Sequence, residues 1–238
     1  PGHQLKVSHQ EAYFTLRQQP PIDQPPGVVA SELRKKLENA VANQVSDGDT
    51  AAWLSGGLDS SAMVALARPH ISQLHTVTAG LTGSSDLEYS RLVANHIQSN
   101  HHEIVVTFED LLAIIPDVIY HLESFDALLV RSSIMNYQVA KMASDYAPLV
   151  LSGEGSDELF AGYSYLKALD PDSLGEELVD ITNRLHNTAL QRVDRCASAH
   201  GTQARLGFLD PNVVSYALKI PVEYKIHDGI DTVSYTHL

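Results

Sequence analysis

The chain has 238 residues, 44% of them apolar, and a formal net charge of −13. That length can hold one large domain with a proper core, and so strong an acid excess excludes a broad nucleic-acid surface, which needs clustered Lys and Arg. No apolar run nears the ~20 residues of a membrane span, no basic-then-apolar leader opens the chain, and the lone cysteine, Cys196, excludes a disulfide framework or a thiolate zinc site. The expectation is a soluble cytoplasmic protein that engages neither nucleic acid nor membrane.

Residues 1–27 are rich in Gln and Pro and read as a linker. Ser31 is expected to cap a first helix carrying Leu33, Leu37, Ala40, Val41 and Val45 at helical spacing. A strand at Thr50–Leu54 follows, then a helix with Met63, Val64, Leu66 and Ala67 that stops at Pro69. Leu74–Ala79 reads as a second strand closed by Gly80. The next helix, capped by Ser85 or Asp86, sets Tyr89, Leu92, Val93, His96 and Ile97 on one face. Glu103–Thr107 is a third strand, and the helix after it is expected to bend at Pro116. A helix near Ser132–Tyr146 leads to a fourth strand at Pro148–Leu151. Beyond Tyr165 the pattern is helical only: one long amphipathic helix over Leu174–Val193, a loop at Arg205–Pro211 and a short helix at Val213–Lys219. Alternating strands and helices predict an α/β fold, a doubly wound parallel sheet with helices on both faces, followed by a helical C-terminal part.

Ligands in such sheets sit at the carboxyl ends of the strands, near the point where strand order reverses. Two strand ends carry polar, glycine-rich loops. After Leu54 comes Ser55-Gly56-Gly57-Leu58-Asp59-Ser60-Ser61, where glycines permit close approach and the opening turn of a helix offers N–H donors to an anion. An ordinary turn with an Asp cap is the plain alternative, but the hydroxyls crowded around the glycines favour phosphate. It is not the common phosphate loop, which requires a Lys that this stretch lacks. After Leu151 comes Ser152-Gly153-Glu154-Gly155-Ser156-Asp157-Glu158, three carboxylates among small residues. One of them can hold magnesium with Asp59, and another can accept a proton. The twelve histidines are scattered, and His101-His102-Glu103 lacks the spacing of a metal-binding helix.

The first loop resembles the Ser-Gly-Gly-x-Asp-Ser loop of the PP-loop ATP pyrophosphatases. The second, Ser152 to Tyr163, is similar to a signature of the glutamine-dependent asparagine synthetases. Gly83-Ser-Ser-Asp86, His121–Asp126 with Arg131-Ser, and Ala204–Asp210 resemble that family too, in the same order, so the likeness spans roughly residues 28–226. The resemblance implies an adenine-nucleotide α-hydrolase-like fold and an enzyme using ATP and Mg2+. In this reading aspartate is adenylated with release of pyrophosphate, and ammonia then displaces AMP to give asparagine. It also implies roles. Leu54, Ala79, Ser152 and Gly153 would border the adenine, and Ser55, Gly56, Gly57, Asp59, Ser60 and Ser61 would hold pyrophosphate. Asp59 and Asp157 would be metal ligands, and Glu154 the catalytic base. Arg131 would bind the substrate carboxylate or the phosphates.

By the same resemblance, residues 1–27 would be the tail of a missing glutaminase domain that supplies ammonia from glutamine, and 28–238 the synthetase domain. The full-length form would be a homodimer. The family's phosphate-contacting Lys would fall near Asp231, Gly207 stands where a Pro is usual, and the last seven residues do not follow the family. Two other readings stay open: a lactam- or peptide-cyclising relative, and a non-catalytic ATP-binding module. Glu154 argues against the lactam-forming relatives, which place a Tyr there.

Overall fold

The strand β1 (Thr50–Trp53) is buried along its whole length, and its side chains alternate between two cores. Ala52 and the following Leu54 face one, Ala51 and Trp53 the other. A central strand with both faces covered requires a layer of helices on each side. The computed structural model describes residues 11, 14–45, 48–227, 230 and 231. Among these, β2 (Leu74–Leu81), β3 (Asn100–Val106), β4 (Leu149–Ser152) and β5 (Gln203–Leu206) join β1 in a parallel sheet of order β3-β2-β1-β4-β5. The chain winds outward from β1 through β2 to β3, then returns to start β4 on the other side of β1. Strand order therefore reverses between β1 and β4.

On one face pack α1 (Pro26–Gln44), α2 (Leu58–Ala67), α3 (Ser85–Ile97), α7 (Ser156–Phe160), α8 (Pro171–Arg184) and α10 (Pro211–Ala217). The other face is covered by α5 (Ile115–Leu122), α6 (Ala127–Ser144) and α9 (Ala189–Ser198), with α4 (Phe108–Ala113) before them. The predicted doubly wound sheet is present. Residues 14–25 form no helix or strand, and Leu16 and Ile22 pack against the first core, with the Ile22 N–H bonded to the Lys219 carbonyl at 2.8 Å. The antiparallel pair β6 (Ile226–His227) and β7 (Ile230–Asp231) closes the described chain.

Several local expectations are corrected. Ser31 lies inside α1, which begins at Pro26 because a proline with fixed φ and no N–H suits the first helical position. Gly80 continues β2 instead of ending it, pairing with Val105. Ser84, not Ser85 or Asp86, stands at the N-cap of α3, without a side-chain cap bond. The buried face of α3 is Leu87, Ser90, Ala94 and Ile97, while Tyr89 and Leu92 are exposed. Two of those four buried residues, Ser90 and Ala94, are small. Pro116 does interrupt its helix: α4 ends and α5 restarts with Pro116 in its first turn. The single helix expected over 174–193 is two, α8 and α9, separated by a tight turn at Leu185–Asn187 and Thr188 at φ −132°, ψ −105°. The C-terminal part is not purely helical, since β5 adds a four-residue edge strand beside β4.

Candidate active site

The loop after β1 is shaped by one close contact. Gly56 has φ +79°, and a Cβ built on it would stand 2.5 Å from the Tyr89 carbonyl carbon and the Ser90 nitrogen. Only glycine fits there, because the loop lies directly on the α3 backbone at Tyr89 and Ser90. Ser60 fastens the loop from inside. Its hydroxyl donates to the Gly57 carbonyl at 3.1 Å and accepts from the Ser55 N–H at 3.3 Å, and the Gly57 N–H bonds to Ser55 Oγ at 3.2 Å. Gly57 is the N-cap of α2 and no side chain caps that end. The opening turn of a helix is where backbone N–H groups suit an anionic ligand.

The loop after β4 meets the first loop backbone to backbone. A Cβ on Gly153 would lie 2.9 Å from both the Asp59 carbonyl carbon and the Ser60 nitrogen. The two glycine-rich loops thus share one rim, at the switch point between β1 and β4, where the sequence places them. Gly155, at φ +95°, caps α7 and is packed against the Leu209 side chain, so the turn after β5 supports the loop from behind. Glu158 is 4% exposed, and the Tyr163 hydroxyl donates to its Oε1 at 2.5 Å. Burial pushes the Glu158 carboxyl upward, and the Tyr163 hydrogen bond pulls it partly back. Burial, with the Glu158 carboxylate beside it, raises the Tyr163 phenol far above its ordinary value.

Between the loops opens a cleft of about 410 Å³, within the ~300–1,000 Å³ of small-molecule sites. Of the sequence-predicted residues, Leu54, Ser55, Asp59, Ser60, Ala79, Ser152, Gly153, Glu154 and Asp157 line it together. Gly56 and Gly57 shape the loop without lining the cleft, and Ser61 Oγ is buried one turn into α2 without a hydrogen-bond partner. Arg131 does not line it either: it is exposed on α6, one turn before Met135 and two before Val139, which do.

Sequence reading missed Thr78, Asp86, Asn136, Tyr163 and Arg192 among the lining residues. The Thr78 hydroxyl donates to the Leu54 carbonyl and ties β2 to the end of β1. Asp86 opens α3 within a stretch, Gly83–Asp86, that carried signal but no assigned role. Arg192 had no local signal. It lies on α9, 38 residues beyond Glu154, and its Nη2 donates to Glu154 Oε1 at 2.5 Å. Among the described residues that line the cleft it is the one cation, beside the four carboxylates of Asp59, Asp86, Glu154 and Asp157.

That charge balance bears on the expected metal. Among the described residues no group of three His, Cys, Asp or Glu is arranged to hold an ion by itself. Asp59 and Asp157 lie in the same cleft, and Mg2+ characteristically takes one or two carboxylates and completes its shell with water and substrate phosphates. The donor set fits such an ion. Among the described residues, no helix is long and apolar enough to cross a membrane.

The chain is 38% identical over 213 residues to asparagine synthetase B (glutamine-hydrolysing) of Escherichia coli K12, a match covering 82% of this chain and 38% of that protein. It is 38% identical over 207 residues to asparagine synthetase 2 of Arabidopsis thaliana, covering 82% and 36%. With the Bos taurus asparagine synthetase the figures are 36% over 214 residues, 85% and 38%. A solved NMN synthetase from Francisella tularensis overlaps 82% of this chain and 92% of its own at 15% identity, with a TM-score of 0.39. The chain thus spans less than two-fifths of the length of the curated relatives it matches. The model of the asparagine synthase family covers residues 32–176 and 169–232, and the chain belongs to that family.

Proposed function

We propose that this chain carries the ATP-splitting, amide-forming site of an asparagine synthetase. The observation that supports it most is the meeting of Asp59 and Gly153 across the switch point, which puts an anion-binding loop and a carboxylate-bearing loop on one cleft. In this reading ATP lies with its adenine near Leu54, Ala79, Ser152 and Gly153. Ser55, Gly56, Gly57, Asp59, Ser60 and Ser61 form the cradle for the pyrophosphate end. Arg131, one turn before the cleft-lining Met135 on α6, would bind the substrate carboxylate or the phosphates in this reading.

The aspartate side-chain carboxylate attacks the α-phosphorus, a P–O bond forms, and the bond to the bridging oxygen breaks, releasing pyrophosphate. Charge builds on that leaving group, where the fixed N–H groups of α2 and the loop hydroxyls stabilise it without reorganising. Asp59 and Asp157 would hold Mg2+, which when bound neutralises phosphate charge. In the second step the ammonia nitrogen attacks the acyl carbon, the C–O bond to AMP breaks, and Glu154 takes the proton released from nitrogen. Ammonia would come from glutamine through a glutaminase domain preceding residue 28, with 28–238 as the synthetase domain. A cytoplasmic location and a homodimeric full-length protein belong to the same reading.

The test is pyrophosphate release from ATP with aspartate and ammonium. Equimolar asparagine, AMP and pyrophosphate are expected, and pyrophosphate release that does not respond to aspartate would refute the assignment.

A further inference from the structure

The Glu154–Arg192 pair has features that a purely stabilising ion pair does not need. It bridges the second loop and α9, both side chains are about one-fifth exposed (23% and 20%), and both line the cleft. The fork geometry of a guanidinium suits two parallel bonds to a carboxylate, yet only Nη2 bonds, and only to Oε1. Among the described residues Glu154 Oε2 receives no hydrogen bond, and Arg192 Nε is buried without an acceptor. One oxygen of Glu154 is held while the other is left for a ligand.

The base of Arg192 is rigid. Val193, Cys196 and Ala197 bury α9 in the second core, Gln191 Nε2 donates to the Leu122 carbonyl at 3.2 Å, and Cys196 Sγ reaches the Ser133 carbonyl at 3.7 Å. Ser133 belongs to α6, whose Met135, Asn136 and Val139 form the cleft wall. The turn and Thr188 ahead of α9 set the direction of this helix independently of α8. Arg192 is thus mounted on the same wall that the substrate meets.

We propose that Arg192 is a positioning residue for the amide-forming step, fixing the Glu154 carboxylate by one oxygen so that the other accepts the proton of the attacking nitrogen. The inference rests on the reading of Glu154 as that acceptor. In the step itself a C–N bond forms at the acyl carbon, and the C–O bond to AMP breaks with its electron pair going to the AMP phosphate oxygen. The proton passes from nitrogen to Glu154 Oε2 and then to solvent. Adenylation needs no proton acceptor of this kind, so the two steps respond differently to loss of Arg192.

The experiment compares wild type, Arg192→Gln and Arg192→Lys in the protein as encoded, with ATP and Mg2+. Aspartate-dependent ATP–pyrophosphate exchange reads the first step, and kcat for asparagine at saturating ammonium reads the whole reaction. Arg192→Gln is expected to lower the asparagine kcat about tenfold or more beyond any loss in exchange, in keeping with the ~10²–10⁴-fold worth of a positioned proton acceptor. Arg192→Lys, which keeps a cation that can pair with Glu154, is expected to stay within about threefold of the wild-type ratio. An equal loss in both readouts, or an unchanged ratio in Arg192→Gln, would overturn the positioning role and leave the synthetase assignment standing. Wild type without aspartate-dependent exchange would instead overturn the assignment, and the inference with it. If Arg192→Gln does not fold, the Lys variant decides alone, since a ratio reduced as far as tenfold would also contradict the proposal.

Discussion

Gly153 faces the backbone of Asp59 so closely that the first atom of any side chain would stand 2.9 Å from the Asp59 carbonyl carbon. This contact locks the loop after β4 onto the start of α2 and brings the carboxylates of one loop to the opening turn of the helix that follows the other. Gly153 and Asp59 are 94 residues apart in sequence, and only the reversal of strand order between β1 and β4 makes them neighbours.

Gly153→Ala should therefore push the loops apart. Both clashing atoms are backbone, which cannot swing aside, so a cost of about 1–3 kcal/mol is expected, as for other overpacked sites. Pyrophosphate release should fall at least about tenfold, in line with the sensitivity of such reactions to small misplacements. Gly27→Ala is the control: nothing lies within 4 Å of a Cβ there, in α1. That change should stabilise the fold by about 0.5–1 kcal/mol in urea unfolding.

Glu154→Gln keeps the shape and hydrogen-bonding reach of the side chain but removes its basicity. ATP binding, measured by calorimetry, should stay within about threefold of wild type, while asparagine formation should fall about 10²-fold or more. Undiminished asparagine output would take Glu154 out of the reaction.

Lys225 ends the short turn Val222–Tyr224 and is only 1% exposed. Burial alone lowers its ammonium to about 7. Between that value and the ordinary lysine range the unfolded chain binds the proton that the folded chain has lost, so this group makes stability rise with pH. Its contribution is least below about pH 7 and fully regained only near the unfolded value. Lys225→Met should remove that dependence. In urea unfolding, wild type should gain about 2–3 kcal/mol on the variant between pH 7 and pH 9, from ~1.4 kcal/mol per pH unit. A constant difference between the two proteins over that range would contradict a buried, neutralised lysine.

Local chemistry explains what was legible in the sequence. Ser55–Ser61 and Ser152–Glu158 stood out because glycines, hydroxyls and carboxylates cluster there at strand ends, and the βα alternation placed both on one rim. What failed was non-local. β5 is four residues on the sheet edge with a half-buried pattern, too short and too polar at Arg205 to carry a strand period. The division of α8 from α9 leaves the apolar spacing almost continuous across Leu185, so periodicity alone reads one helix. The packed face of α3 was misjudged because two of its four buried residues, Ser90 and Ala94, are small, and a count of large apolar residues passes over them. Arg192 enters the cleft only through the docking of α9 on α6, a contact between segments about sixty residues apart.

The most direct measurement of the central claim is pyrophosphate release by the protein as encoded, with ATP, Mg2+, ammonium and a panel of carboxylic acids. The prediction is release that depends on aspartate, matched mole for mole by AMP and asparagine, and absent without a carboxylate substrate. Background release with aspartate, alongside clear release with a different acid, would contradict it.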